Sequence, residues 1–290
     1  MIEWYYFALM SSLLLGMFTI LEKFSLKQEH ATAFTSAFSF IAAILSVPLL
    51  LFAQTFAFSG MQLALIFADG ILIALTYLLA ARVYKHGSVS VASAAFSSLP
   101  SVFVVLLALP LLGETLNYYQ YVSIAVITVI IYTLLFDRRK GRPFESNKYM
   151  TMILVRSFLV AAQAIVTKYI LSTGVDVFTF FVLSEIFVAF DFAVFISFKY
   201  GGMREIGATV RRYSLPIVLM AILTLGYGLT YYLSLTGADV SIVTPVRNTV
   251  YVVMTVLAGG LFFKEDEIER KLALSAVLLL FTYLLIAGVP

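Results

Sequence analysis

Cysteine is absent from the 290 residues, so the chain has no disulfide, thiolate nucleophile or cysteine metal site. Histidine is almost as scarce. His30 and His86 fall in polar connections and make no metal set. No Walker or dinucleotide fingerprint occurs, which argues against direct ATP drive and against a bound nucleotide. No clustered nucleophile, base and metal ligand occurs either, so neither an enzyme nor a cofactor is expected, and no nucleic-acid partner. Charge is also sparse. Only 12% of residues are charged against 62% hydrophobic, whereas a soluble domain carries about 25% charged residues. Too little polar surface remains to cover a water-facing globule of this size.

What the chain has instead is apolar runs, such as Ile41 to Ala53 and Val102 to Leu112. Runs of about 18 or more apolar residues match a hydrocarbon core about 30 Å thick. No ten-residue alternation of polar and apolar residues recurs, which excludes a membrane β-barrel. The fold class expected is an all-α polytopic membrane protein with ten transmembrane helices. They cover residues 4–26, 32–53, 62–84, 88–112 and 117–136, then 150–172, 177–199, 213–236, 240–263 and 271–289. The first segment has no basic residue before it and no small-residue cleavage site after it, so it reads as a span and not a removable leader.

The connections are mostly short and polar, so neighbouring helices run antiparallel. Of the 19 Lys and Arg residues, 16 lie in or beside the loops after spans one, three, five, seven and nine. The other three are Lys168, near the end of span six, and Arg156 and Arg247, inside spans. The positive-inside rule therefore puts those five loops in the cytoplasm and both termini outside, with the protein in the plasma (inner) membrane.

The halves align with each other. Thr19-Ile20-Leu21-Glu22-Lys23-Phe24-Ser25-Leu26 resembles Ala164-Ile165-Val166-Thr167-Lys168-Tyr169-Ile170-Leu171, 145 residues later. In the fourth spans the spacing is 151: Val89-Ser90-Val91 matches Val240-Ser241-Ile242, and Leu112-Gly113-Glu114 matches Phe263-Lys264-Glu265. Residues 1–136 thus read as a first five-helix repeat, 137–148 as a cytoplasmic basic linker and 149–290 as a second repeat. An odd number of spans in each half makes the two repeats inverted. Inverted repeats place a solute site near the bilayer midplane and let the halves open it alternately to either side.

Ten helices as five plus five resemble the drug/metabolite transporter superfamily, EamA type. The likeness also lies in the fourth span, which runs through small residues from Gly87 to a mid-helix Pro100 and ends in Gly113-Glu114. Its second-half counterpart contains Pro245 and ends in Lys264-Glu265. Two features depart from the pattern. The position matching Pro100 is Tyr251, and members of the family are often described with both termini in the cytoplasm. The resemblance implies a secondary transporter working by alternating access. Its substrates would be small organic metabolites such as amino acids, export the commoner direction, and drive a proton or exchange gradient. Beyond the solute, the expected partner is membrane lipid. A flippase for lipid or lipid-linked substrates is the alternative, which a basic pocket formed by Arg247 with Lys168 would suit.

Charges within a span cost roughly 2.5–3.5 kcal/mol on insertion scales and mark pathways or ion pairs. Five qualify: Asp69, Arg156, Glu185, Asp191 and Arg247. By position, Arg247, Glu185 and Asp69 share an outer layer, and Arg156 and Asp191 an inner one. Arg247 is expected to bind an anionic substrate group, or to pair with Glu185 or Asp69 when the site is empty. A carboxyl group in these layers is also a candidate proton carrier. The alternative for each is a structural ion pair between helices. Asn248 and Tyr251 accompany Arg247 on the ninth span. Tyr77, Tyr227 and Tyr231 lie deep in spans and need partners for their hydroxyls. Gln163 is a mid-span polar group, and Ser97 aligns with Asn248. The cluster Trp4, Tyr5, Tyr6, Tyr118, Tyr119 and Tyr121 reads as an interfacial belt.

Overall fold

The computed structural model describes residues 3–26, 31–86, 89–137, 142–143, 147–199, 202–263 and 267–287. His30, Gly87, the turn from Lys264 to Asp266 and most of the expected linker lie outside them, as does the side chain of His86. Lipid offers no hydrogen bonds, so each apolar run closes its backbone bonds internally as a helix. The elements are α1 (Trp4–Leu26), α2 (Ala31–Ser46), α3 (Gly60–His86), α4 (Val89–Leu112), α5 (Tyr118–Leu135), α6 (Asn147–Ser172), α7 (Val177–Lys199), α8 (Met203–Arg212), α9 (Ser214–Gly237), α10 (Val240–Phe263) and α11 (Ile268–Ala287). Where Pro48 follows α2, the chain tightens into a 3₁₀ segment, Val47–Phe52. A two-residue antiparallel pairing, β1 (Phe136–Asp137) with β2 (Arg142–Pro143), closes the connection between the halves.

Nine helices among the described residues are long and apolar enough to cross a membrane. The remaining expected span is α5, with 18 residues. At 1.5 Å per residue it is about 27 Å long, slightly under the hydrocarbon thickness. One difference from the sequence reading is α8, which occupies what reads as a basic loop. It is amphipathic: Ile206 and Thr209 are buried, while Arg204, Arg211 and Arg212 are exposed. Its ten residues reach only about 15 Å, so it packs against the ends of α2, α7 and α9 and does not span.

The bundle presents apolar side chains outward and hydroxyls inward. Phe190, Leu106 and Leu261 are exposed, while Thr35, Ser36, Thr224 and Thr249 are buried. Such an apolar exterior suits lipid and would be a liability in water. The inward hydroxyls bond back along their own helices, as in Ser36 to Thr32 O (2.9 Å) and Thr224 to Met220 O (2.9 Å).

Helix α1 packs on α9 and α10, and α6 on α3 and α4; α4 meets α10, and α2 meets α7. Helix α5 lies on α4 and α11 on α10, while α2 meets α9 and α7 meets α3. These main pairings are unchanged when α1–α5 are exchanged in order for α6, α7, α9, α10 and α11. The aligned lysines behave alike. Lys23 Nζ donates to Tyr84 O near the end of α3 (2.5 Å), and Lys168 Nζ donates to Leu235 O (2.7 Å) and Ala238 O (2.8 Å) at the end of α9. Tyr84 and Leu235 are separated by 151 residues, the spacing of the fourth spans. In both places a cation meets the negative end of a helix.

Loops sort onto two faces. On one, Gln62 Nε2 donates to Thr173 Oγ1 (2.9 Å), Thr179 Oγ1 donates to Thr55 O (2.8 Å), and Glu114 meets the start of α10. On the other, Lys23 reaches α3, and Arg270 donates to Thr133 O at the end of α5 (2.9 Å). The second face carries the basic connections.

Candidate functional site

A cavity of about 110 Å³ lies inside the bundle, lined by α1, α3, α4, α6, α7, α9 and α10. One water needs about 10–15 Å³ on the same measure, so the space holds a small organic molecule or several waters. The lining follows helical stripes. Helix α1 contributes Leu15, Phe18, Thr19 and Glu22, and α3 contributes Ile73, Thr76, Tyr77, Ala80 and Tyr84. These are the i, i+3, i+4, i+7 positions of one helix face.

Arg247 anchors one end. Its Nε donates to Ser11 Oγ (2.9 Å), and its guanidinium lies 4.3 Å over the Tyr231 ring and 5.8 Å from that of Tyr227. Ser11 Oγ in turn donates to Tyr227 O (2.7 Å), and Ser12 Oγ donates to Arg247 O (2.7 Å). The backbone and one edge of Arg247 are therefore fixed by the neighbouring helix, and the aromatic face below supports the cation. Beside it, the Tyr77 and Tyr227 hydroxyls share a 2.6 Å hydrogen bond, and Tyr231 OH bonds Thr244 Oγ1 (3.2 Å). Glu185, from α7, lines the same space, with Oε2 buried and unbonded.

Glu22 and Arg156 mark the other end. Ser11 and Glu22 are eleven residues apart on α1, or about 16 Å at 1.5 Å per residue. Arg156 places its guanidinium 3.9 Å over the Phe96 ring, with Nε buried and unbonded, and its charge attracts Glu22. Tyr251, Tyr84 and Thr19 close this end: the two tyrosine hydroxyls bond each other, and Thr19 Oγ1 meets Tyr251 OH at 3.2 Å.

Of the residues singled out from sequence, Arg247, Asn248, Tyr251, Tyr77, Gln163, Tyr227, Tyr231, Glu185 and Arg156 line this one cavity. Three do not. Ser97 stands behind it, where Asn248 Nδ2 donates to its carbonyl (3.1 Å) and to Ser101 Oγ (3.0 Å). Asp69 points into the α3–α6–α7 contact, where Thr167 Oγ1 donates to its Oδ1 (2.9 Å). Asp191 is half-buried on α7, outside the lining. The expected pairing of Arg247 with Glu185 or Asp69 is not made. Among the described residues none of the five span charges forms a salt bridge, because Arg247 is turned onto Ser11 and Tyr231. Sequence reasoning passed over Thr19, Glu22, Thr76, Tyr84 and Tyr232, which also line the cavity. Glu22 was legible in principle, since it falls on the same stripe as Thr19. It stands beside Lys23, nearer the basic end of α1 than the five charges singled out.

The Gly-Glu ending of α4 also gains a physical role. Gly113 adopts φ +68, the left-handed turn that ends a helix and disfavours a side chain. It delivers Glu114 to the start of α10, where Val240 N (2.8 Å), Ser241 N (3.0 Å) and Ser241 Oγ (2.5 Å) donate to its carboxylate. A carboxylate from the first half thus caps a second-half helix. Asp239 sits beside it, in the connection before α10. Partial burial, with the Glu114 charge adding to it, raises its carboxyl above the ordinary range, against a downward pull from Lys168.

Residues 2–136 match the EamA-like transporter family. No curated protein matches the chain at the sequence level. Among solved structures, the crystal structure of another protein superposes with a TM-score of 0.66 at 14% identity. The alignment covers 96% of this chain and 94% of that one, which shows a shared fold.

Proposed function

From the match of residues 2–136 to the EamA-like transporter family, a branch of the drug/metabolite transporter superfamily, we propose that this integral membrane protein is a secondary carrier. It moves small organic metabolites carrying an anionic group, amino acids among them, by alternating access between two inverted halves, with export the working direction. The observation that carries this reading is the cavity with Arg247 in its wall, held by Ser11 and Tyr231 and, among the described residues, in salt bridge with no carboxylate. The rest of its fork is available to a carboxylate or similar anion. The family match ends at residue 136, one residue beyond α5, and the packing pattern maps one set of five helices onto the other. Both support a division into repeats at 1–136 and 149–290. The basic face is assigned to the cytoplasm by the positive-inside rule, which places both termini outside.

Opening and closing follow from the two ends. The Tyr84–Tyr251–Thr19 cluster closes the end nearer the basic face, and separating α1 and α10 from α3 would break it. Proton or exchange coupling would act through Glu22 and Glu185, the two carboxyl groups in the cavity wall. The volume suits a metabolite better than a lipid headgroup with its chains, which disfavours the flippase alternative.

The test is ligand-dependent thermal stabilisation of the purified chain, followed by uptake in proteoliposomes, over a panel of small anions and zwitterions. Arg247→Ala should weaken a stabilising ligand by about 10- to 100-fold, the worth of lost hydrogen bonds to a charged group. Arg247→Lys keeps the charge, loses the fork, and should recover only part. Full transport by a well-expressed Arg247→Ala protein would remove this residue from the site.

A further inference from the structure

Beside the cavity, at the junction of α3, α6 and α7, lies a second polar cluster that the carrier reading does not use. Asp69 is fully buried, as is Thr167, and Ser184 is 1% exposed. Gln163 Nε2 donates to Thr167 Oγ1 (2.8 Å), which donates to Asp69 Oδ1 (2.9 Å). One carboxylate oxygen is thereby satisfied. The other, Oδ2, is buried without a partner, and so is Ser184 Oγ. The Gln163 amide and the Ser184 hydroxyl also act on the Asp69 carboxyl, so both lie beside it.

We propose that Asp69, Thr167 and Ser184 form a binding site for Na⁺, with the Gln163 amide holding Thr167 from behind. Buried charges are paired or bind cations, and no basic side chain forms a salt bridge with Asp69 among the described residues. A proton on Oδ2 would remove the charge, yet neither Oδ2 nor Ser184 Oγ makes a hydrogen bond among the described residues. A cation between Oδ2 and Ser184 Oγ satisfies both oxygens. Charge matching selects a monovalent ion, because one carboxylate against a divalent ion leaves net charge inside the membrane. Size selects the smaller one. Next to Asp69 is Gly70, where an added Cβ would stand 2.8 Å from Phe187 Cβ, so α3 and α7 close tightly within one turn of Ser184.

The site shares a wall with the cavity. Gln163 faces both, and Glu185, adjacent to Ser184, lines the cavity. Occupation by Na⁺ would fix the Gln163 amide and the α7 backbone that the solute also meets, coupling the two binding events. That coupling rests on the carrier reading above; the ion site itself does not.

The experiment is thermal unfolding of the full chain in detergent at pH 7, with choline replaced by Na⁺, Li⁺ or K⁺ at constant ionic strength. The midpoint should rise saturably with Na⁺ and far less with K⁺, as expected of a ligand that binds the folded state. Ser184→Ala should raise the half-saturating concentration by about tenfold, for one lost contact to a charged group. Asp69→Asn should abolish the Na⁺ response. A wild-type midpoint indifferent to Na⁺ overturns the proposal, and needs no variant to fold. A Na⁺ response retained in Asp69→Asn does so too, and a midpoint that follows pH but not Na⁺ makes Asp69 a proton carrier instead. Ligand stabilisation that depends on Arg247 but not on Na⁺ sinks only the ion site. A Na⁺ response with no stabilising solute leaves the ion site standing and counts against the carrier.

Discussion

Glu114→Ala separates the role of the Gly-Glu ending as a brace between the halves from a role in transport chemistry. The carboxylate accepts two backbone N–H groups and one hydroxyl at the start of α10. Truncation leaves the Val240 and Ser241 amides without acceptors, at about 1–3 kcal/mol each when buried. Glu114 is 9% exposed, and water at that edge relieves part of the loss, so about 3 kcal/mol is expected in sum. Glu114→Gln keeps one acceptor oxygen but loses the charge at a helix N-terminus, worth about 0.3–2 kcal/mol. It should fall between the parent and Ala. Ser241→Ala, which deletes only the hydroxyl contact, should cost about 1 kcal/mol. Unfolding in mixed micelles with rising denaturing detergent reads these differences. Because Glu114 and Ser241 share bonds, the double variant should lose less than the two singles together. A Glu114→Ala protein within about 0.5 kcal/mol of the parent, the range of an ordinary surface change, would refute the capping argument.

Two further outcomes follow from groups outside the cavity. Lys168→Met keeps the aliphatic stem but removes the donor to Leu235 O and Ala238 O; it should destabilise by about 1–3 kcal/mol in the same micelle assay, and Lys23→Met should act in the same direction at the other face. For Asp239, the folded carboxyl sits above its ordinary value, so the folded state favours the proton. Its contribution is fully present below the ordinary carboxylate range and is lost as pH rises through the raised value. Asp239→Asn should therefore raise the unfolding midpoint at pH 7 and leave it unchanged only below about pH 3, under the ordinary Asp value; an unchanged midpoint at pH 7 would show that this carboxyl is not perturbed.

Much of the cavity was legible in the primary structure because polar groups within apolar runs have few places to go. Arg247, Arg156, Glu185, Gln163 and four tyrosines stood out for that reason, and they line one space. Which of them touch was not legible. Ser97 and Asp69 occupy spans and depths like those of the cavity residues, yet a rotation of the helix by part of a turn sends one behind Asn248 and the other into the α3–α6–α7 seam. The stacking of Arg247 on Tyr231, in place of a salt bridge, depends on how α9 stands against α10 and α1. Helix α8 was hidden because its three arginines read as loop charge, and only its packing on α2 shows the buried Ile206–Thr209 side.

The order of apolar and polar residues determined by itself that the chain is helical and lives in a membrane, because nothing else satisfies a backbone in hydrocarbon. It also set where the spanning helices run, and the sorting of basic residues among the loops anticipated two distinct faces. The azimuth of each helix was decided only by tertiary packing. Hydrophobicity in lipid distinguishes inside from outside weakly, so close contacts such as Gly70 against Phe187 and shared polar bonds choose which stripe faces the cavity.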